Sequence, residues 1–233
     1  RRRPAMADEV VLLDLWVSPF GQRCRIALAE KGVEYEYSEQ SLADKSDLLL
    51  RSNPVHKKVP VLLHAGRPVC ESLVILEYID ETWPPEPEKK KESPRLLPSD
   101  PYARARARFW ADYVDKKLFD CQTRLWKLRA GDAAHEQAKR DMAEALGTLE
   151  AELGEGDYFG GEAFGYLDVV LVPFVAWFHA YERLAGFAVA EICPRLVAWG
   201  ERCKGRDSVA KTLTDPEKVY EFALYLKAKF GAK

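Results

Sequence analysis

The chain is poor in histidine, and its cysteines form no pattern. Four histidines are scattered through 233 residues without an H-E-x-x-H arrangement, so the spacing supports no metal site. The five cysteines, Cys24, Cys70, Cys121, Cys193 and Cys203, are odd in number and include no C-x-x-C pair. That argues against a disulfide framework and for reduced thiols in a cytoplasmic protein. No apolar run reaches membrane-spanning length. The longest, Leu167 to Phe178, contains Asp168 and reads as a buried core helix. An excess of one charge is also lacking: 35 Lys and Arg against 37 Asp and Glu leave a net charge of −2. This removes a global case for nucleic-acid binding. There is no G-x-S-x-G elbow to mark a serine as an acylated nucleophile.

Ser18 is the residue that stands out. It follows the apolar run Val10 to Val17 and precedes Pro19-Phe20-Gly21-Gln22-Arg23-Cys24. The run reads as a buried strand. The segment after it reads as a helix with proline in its first turn, where the missing N–H costs nothing. A serine at that junction is a natural N-cap. It places a hydroxyl beside free N–H groups and the positive end of a helix dipole, a setting that favours an anion such as a thiolate.

The first eighty residues alternate strand and helix signals. Strands are predicted at about 10–16, 34–38, 59–64 and 68–70, with a tight turn at Ala65-Gly66-Arg67. Helices are predicted at 19–31, 45–52 and 72–81, the last capped by Ser72. The order βαβ–α–ββα implies a small mixed four-stranded sheet with helices on both faces, an α/β domain. Residues 84–99 hold Pro84, Pro85, Pro87, Pro94, Pro98 and the run Lys89-Lys90-Lys91, the composition of an exposed linker. Beyond Asp100 the pattern is helical throughout, with helices expected at 101–128, 133–153, 166–184, 194–203 and 216–230. The expected domains are therefore 8–83 and an all-α domain at 100–233, joined by the linker 84–99. Residues 1–7, with Arg1 to Ala5 ahead of Met6, are set aside as a non-native remnant and disordered start.

This arrangement, with Ser18-Pro19-Phe20 after the first strand, resembles the soluble glutathione transferases and most closely the plant tau class. The residues carrying the resemblance are Arg23 to Gly32, Asn53 to Leu62, Glu71-Ser72-Leu73, Leu97 to Tyr102, Arg108 to Asp112, and Leu167 to Phe174. Two positions depart from it. Cys24 stands where valine is usual, placing a second thiol near the expected site. Gly165 stands three residues before Asp168 where Ser or Thr is usual, so one side-chain cap is missing.

The resemblance implies a thioredoxin-like first domain and a reaction in which the glutathione thiolate attacks an electrophilic carbon. Ser18 is the implied catalytic residue, donating its O–H to the sulfur. Val59, ahead of a cis Pro60, would pair its backbone with the cysteinyl part of glutathione. Glu71 and Ser72 would take the γ-glutamyl end, and Lys45 and Lys58 the glycine carboxylate. Phe20, Lys116, Phe119, Thr123, Trp177, Phe222 and Leu226 would line the electrophile site. Lys116, Phe119, Thr123 and Trp126 are spaced to share one helical face. His56 and Lys57 read as surface.

Glutathione would be a co-substrate, with no cofactor and no metal. The partners implied are glutathione, a hydrophobic electrophile and a second copy of the chain in a homodimer, with neither nucleic acid nor membrane. Without an aromatic key before Glu71, the dimer interface is expected to be polar. The same thiolate would extend the activity to organic hydroperoxides, in detoxification or stress response. Two alternatives compete. A thiol transferase would carry cysteine in place of Ser18. A non-catalytic carrier of apolar metabolites or glutathione conjugates would retain the fold alone.

Overall fold

The apolar run Val10–Asp14 builds the central strand β1, and the pleat sends its successive side chains to two opposite, covered faces. In the computed structural model, which describes residues 9–85 and 95–232, β1 pairs in parallel with β2 (Glu36–Glu39) and antiparallel with β3 (Val61–His64). Strand β4 (Arg67–Cys70) completes a mixed sheet in the order β2-β1-β3-β4. The connecting helices are α1 (Pro19–Glu30), α2 (Asp47–Ser52) and α3 (Ser72–Thr82).

Helices cover both faces, as the element order implies. Leu13 and Val61 form one face and pack with Leu49 of α2, flanked by Val11, Leu63 and Cys70. Leu12 and Leu62, one residue out of phase, supply the opposite face. Ile26, Leu28, Ile75, Leu76 and Ile79 on the mutually packed helices α1 and α3 are fully buried. Each such side chain contributes about 1.5–3 kcal/mol of burial free energy. Strand β2 is an exposed edge with the sequence Glu-Tyr-Ser-Glu, and its charges discourage further strand pairing.

The chain divides into two compact units between Leu97 and Pro98. The expected linker is therefore not loose along its whole length. Leu96 and Leu97 are buried, and their N–H groups donate to the two carboxylate oxygens of Asp80 on α3 at 2.8 and 3.0 Å. Asp80 also pairs with the buried Lys31 ammonium at 2.6 Å. Most of the proline-rich stretch, with Lys89-Lys90-Lys91, lies outside the described residues, as do residues 1–7.

The second unit is helical, with caps that the sequence signals. Asp100 accepts from Ala103 N at 2.7 Å and opens α4 (Pro101–Tyr113). Asp215 accepts from Glu217 N and Lys218 N and opens α12 (Pro216–Phe230). Helix α6 spans Ala133–Leu153. Two long helices expected from the sequence are subdivided. The 101–128 segment carries a π-helical turn at Val114–Leu118 between α4 and α5 (Phe119–Lys127). The 166–184 segment runs as α7 (Tyr166–Leu171), a 3-10 stretch at Val172–Trp177, and α8 (Phe178–Ala185). Pro173 lacks the N–H an α-helix needs there. Two four-residue helices, α9 (Val189–Ile192) and α11 (Asp207–Ala210), flank α10 (Pro194–Lys204).

Asp168 organises this unit. Its fully buried carboxylate accepts from Gly165 N at 2.9 Å, Phe159 N at 3.1 Å and Trp199 Nε1 at 2.8 Å. Gly165 is the N-cap of α7 and has no side chain to return the bond. The acidic half of the cap carries the junction alone.

Candidate active site

Ser18 occupies the N-cap of α1 in extended conformation and is 9% exposed. Its Oγ accepts from Gly21 N at 3.4 Å, a long hydrogen bond that leaves the hydroxyl proton available to another acceptor. The turn leading to it is fixed by its backbone: Ser18 N donates to Leu15 O at 2.8 Å, and Gln22 N donates to Ser18 O at 3.0 Å.

Asp14 closes β1 directly ahead of this turn and is fully buried. Its Oδ1 accepts from Leu15 N at 2.7 Å, and its Oδ2 faces Arg25 Nε at 3.1 Å. Burial pushes this carboxyl up to about 7, partly offset by Arg25 and by the Leu15 hydrogen bond. A side chain cannot be added at Gly21, because a Cβ there would fall 1.5 Å from Asp14 Oδ1. Glycine is needed here for close approach of a helix to a carboxylate.

In the first unit Arg23 joins two predicted residues, Phe20 and Ser72, and the others are held by neighbours of their own. Arg23, fully buried, donates from NH1 to Ser72 Oγ at 3.0 Å and lies 4.9 Å from the centre of the Phe20 ring. Ser72 is the first residue of α3, and the N-cap is Glu71, a correction to the sequence expectation. Glu71 holds φ at 71°, a left-handed value that costs a non-glycine residue about 1–3 kcal/mol and is found disproportionately at functional sites. Its exposed carboxylate stands 3.9 Å from His56 Nε2. Lys45 Nζ donates to Lys57 O at 2.8 Å, and Asn53 Nδ2 donates to Lys58 O at 3.0 Å. The Val59–Pro60 peptide bond is cis. The Val59 amide and carbonyl make no hydrogen bond among the described residues.

Cys24 is not a second reactive thiol. It is fully buried, and its Sγ–H donates to Phe20 O at 3.6 Å. Burial and the neighbouring Asp14 push the thiol far above its ordinary range, so the thiolate is suppressed.

In the helical unit, Phe119, Thr123 and Trp126 lie within α5 and keep the 3.6-residue period. Lys116 does not share it, because it sits in the π-helical turn, where more residues fill each turn. Its ammonium is exposed and pairs with Asp112 at 2.8 Å. Trp177 is buried at the end of the 3-10 stretch, 6.5 Å edge-to-face from Phe222 of α12. Phe222 and Leu226 are half-buried on α12, which packs against α5 and α8.

Sequence reasoning did not single out Asp14, Gly21, Arg23 or Asn53, which support predicted residues or the turn beside them. Polar residues inside or beside apolar runs, such as Asp14 closing a strand and Arg23 in a buried helix, were the available signal.

The arrangement is a mixed sheet with a cis-proline before β3, a serine at the first helix N-terminus and a strained acidic residue opening the third helix. Comparison with known proteins identifies it. Residues 9–81 match the glutathione S-transferase N-terminal domain and residues 132–202 the C-terminal domain. The chain belongs to the glutathione S-transferase family. It is 60% identical over 232 residues to the probable glutathione S-transferase GSTU1 of Oryza sativa subsp. indica, covering 98% of this chain and all of that one. It is 53% identical over 225 residues to glutathione S-transferase U19 of Arabidopsis thaliana, covering 97% of this chain and 99% of that one. The crystal structure of rice GST1 (OsGSTU1) in complex with glutathione superposes with a TM-score of 0.89 at 59% identity, covering 98% of this chain and all of that one. The tau-class enzyme MiGSTU from mango gives 0.85 at 40% identity, covering 94% and 98%. Within the family, the tau class is the one this chain falls in.

Proposed function

We propose that Ser18 activates glutathione in this transferase by donating its hydroxyl proton to the thiolate. The observation carrying this reading is a nearly buried N-cap hydroxyl whose one hydrogen bond among the described residues is a long one accepted from Gly21 N. A free thiol, with a pKa near 8.5, is only a few per cent ionised at neutral pH. A hydrogen bond and a helix N-terminus both favour the charged form. The thiol proton passes to solvent. The sulfur then bonds to the electrophilic carbon, and a leaving group such as halide departs with its bonding pair.

Glutathione binding to this chain is supported by the likeness to the rice enzyme solved with that ligand. The unpaired Val59 backbone suits the cysteinyl main chain as an added strand. Glu71 and Ser72 suit the γ-glutamyl end, and Lys45 and Lys58 the glycine carboxylate. Phe20, Phe119, Thr123, Trp177, Phe222 and Leu226 supply the apolar and aromatic character suited to a hydrophobic electrophile. Lys116 is the weakest member of that set, given its exposure and its pairing with Asp112. A homodimer is part of this reading. Val74 on α3 and Tyr102 and Phe109 on α4 are large exposed hydrophobics, so the interface would hold more apolar surface than the sequence suggested.

Ser18→Ala tests the central assignment. Conjugation of an activated aryl chloride should fall about 10²-fold, comparable with loss of one oxyanion-type donor, while the circular dichroism spectrum stays unchanged. Turnover within a few-fold of the parent would sink the assignment.

A further inference from the structure

We propose that Asp14 is a positioning residue for Ser18, anchoring together with Arg25 and Glu39 the turn 14–18 that carries the serine hydroxyl. The inference rests on the reading of Ser18 as the thiolate's hydrogen-bond donor.

The turn is held along its length. Asp14 takes Leu15 N on Oδ1 at 2.7 Å, while its own carbonyl accepts from Gln40 N at 2.7 Å. Arg25 reaches back from α1 to pair with Asp14 Oδ2 and to donate from NH2 to Trp16 O at 2.8 Å. Glu39 on β2 takes Trp16 N on Oε1 at 3.2 Å and also the Tyr37 hydroxyl. Ser18 N closes the turn on Leu15 O. The last link is steric. Asp14 Oδ1 occupies the space a Cβ of Gly21 would fill, and Gly21 N is the donor to Ser18 Oγ. A displaced carboxylate therefore moves both the turn and the first helical residue that bonds the serine.

A neutral side chain could accept from Leu15 N equally well. What the carboxylate adds is the pairing with Arg25, which in turn holds Trp16 O. A buried charge is costly unless paired, so its presence at this junction calls for an explanation beyond packing. Arg25 and Cys24 face Asp14 from α1; Glu39 and Tyr37 face it from β2, and Tyr35 from the segment just before it. Burial sets this carboxyl to titrate at about 7. Protonation below that value weakens the hold on Arg25, so the turn loosens as pH falls.

The test is a double-mutant cycle of the parent chain, Asp14→Asn, Ser18→Ala and the double variant, assayed with glutathione and chlorodinitrobenzene across pH. Asp14→Asn keeps the shape and the acceptor for Leu15 N. It should lower kcat about tenfold, because small misplacement of a catalytic group costs up to ~10²-fold, and leave the glutathione KM within about twofold. In the Ser18→Ala background the same change should cost less than about twofold, since coupled residues are non-additive. The acid side of kcat/KM should show an extra, bounded fall of about tenfold as pH drops through about 7 in the parent, and Asp14→Asn should lack that step. An equal loss in both backgrounds, or an unchanged kcat, overturns the proposal. Should Ser18→Ala alone turn over like the parent, the serine reading fails first, and that is visible without any Asp14 variant. If Asp14→Asn does not fold, Glu39→Gln, which touches the same turn from the exposed edge, replaces it in the cycle with the same coupling expected and the same additivity overturning it.

Discussion

The sheet unit and the helical unit each bury an aspartate near a helix start, Asp14 at the end of the strand that leads to α1 and Asp168 in the first turn of α7, and the two are satisfied differently. Asp168 accepts three N–H donors, from Phe159, Gly165 and Trp199, gathered from three segments of its unit. Asp14 accepts one N–H, from Leu15, and depends on a cation for the rest. Burial raises both carboxyls, Asp168 to about 6 and Asp14 to about 7. The donors around Asp168 pull it part of the way back. A fully bonded carboxylate fixes a fold. A partly bonded one beside Ser18, the serine proposed to activate glutathione, stays responsive to charge and pH. Asp168 holds its unit together, while Asp14 is proposed to position Ser18.

Asp168→Ala should show the largest effect. It leaves three buried donors unpaired, each costing about 1–3 kcal/mol, so urea unfolding should show a loss of about 3 kcal/mol or more. A change below about 1 kcal/mol would remove Asp168 from its structural role and break the comparison.

The next effect is in pH. Both carboxyls titrate above their ordinary value of 3.8 in the folded chain. The native state therefore binds more protons than the unfolded state between that value and about 6 or 7, and their contribution to stability falls as pH rises through this window. Stability should decline from about pH 5 to about pH 8, and Asp14→Asn should flatten the portion nearest pH 7. The half-buried carboxylates Glu136 and Asp141 are shifted down by Lys139, Gln137 and Arg124. They act below this window, with opposite sign. Urea midpoints at several pH values would check this, and a rise in stability across the window would contradict the burial argument for both aspartates.

Gly165→Ser should show the smallest effect, a gain of a few tenths of a kcal/mol in stability with unchanged turnover. Glycine is only slightly worse than serine at an N-cap, and Asp168 already bonds the cap amide. A gain above about 1 kcal/mol would mean that Asp168 alone leaves the α7 junction under-capped.

Much of the fold was legible because local signals agreed with it. Ser18 with Pro19, Asp100 with Pro101 and Asp215 with Pro216 each mark a helix start, and the structure places helices there. The strands Val10–Asp14 and Val61–His64 were legible as short apolar runs, while their antiparallel register was decided by the folded sheet. The subdivided helices were less legible. Pro173 was a visible breaker overridden by the apolar run around it. The π-helical turn at 114–118 carries no composition signal, and it removes Lys116 from the face it was expected to share. At the site, Ser18 could be placed from its flanks, while Ser72 was taken for the N-cap because the strained backbone of Glu71 leaves no trace in composition.

By itself, the sequence determined the order of elements, the helix starts, the position of the serine at a strand–helix junction and the family. These depend on neighbours within a few residues, whose periodicity and capping chemistry act locally. Tertiary structure alone decided that Arg23 meets Ser72 across 49 residues of chain, that Asp14 fills the space beside Gly21, and that Cys24 is sealed from solvent. Each depends on burial and on contacts between segments distant in sequence. Desolvation and close approach set the charge and reach of a side chain only after the chain has folded around it.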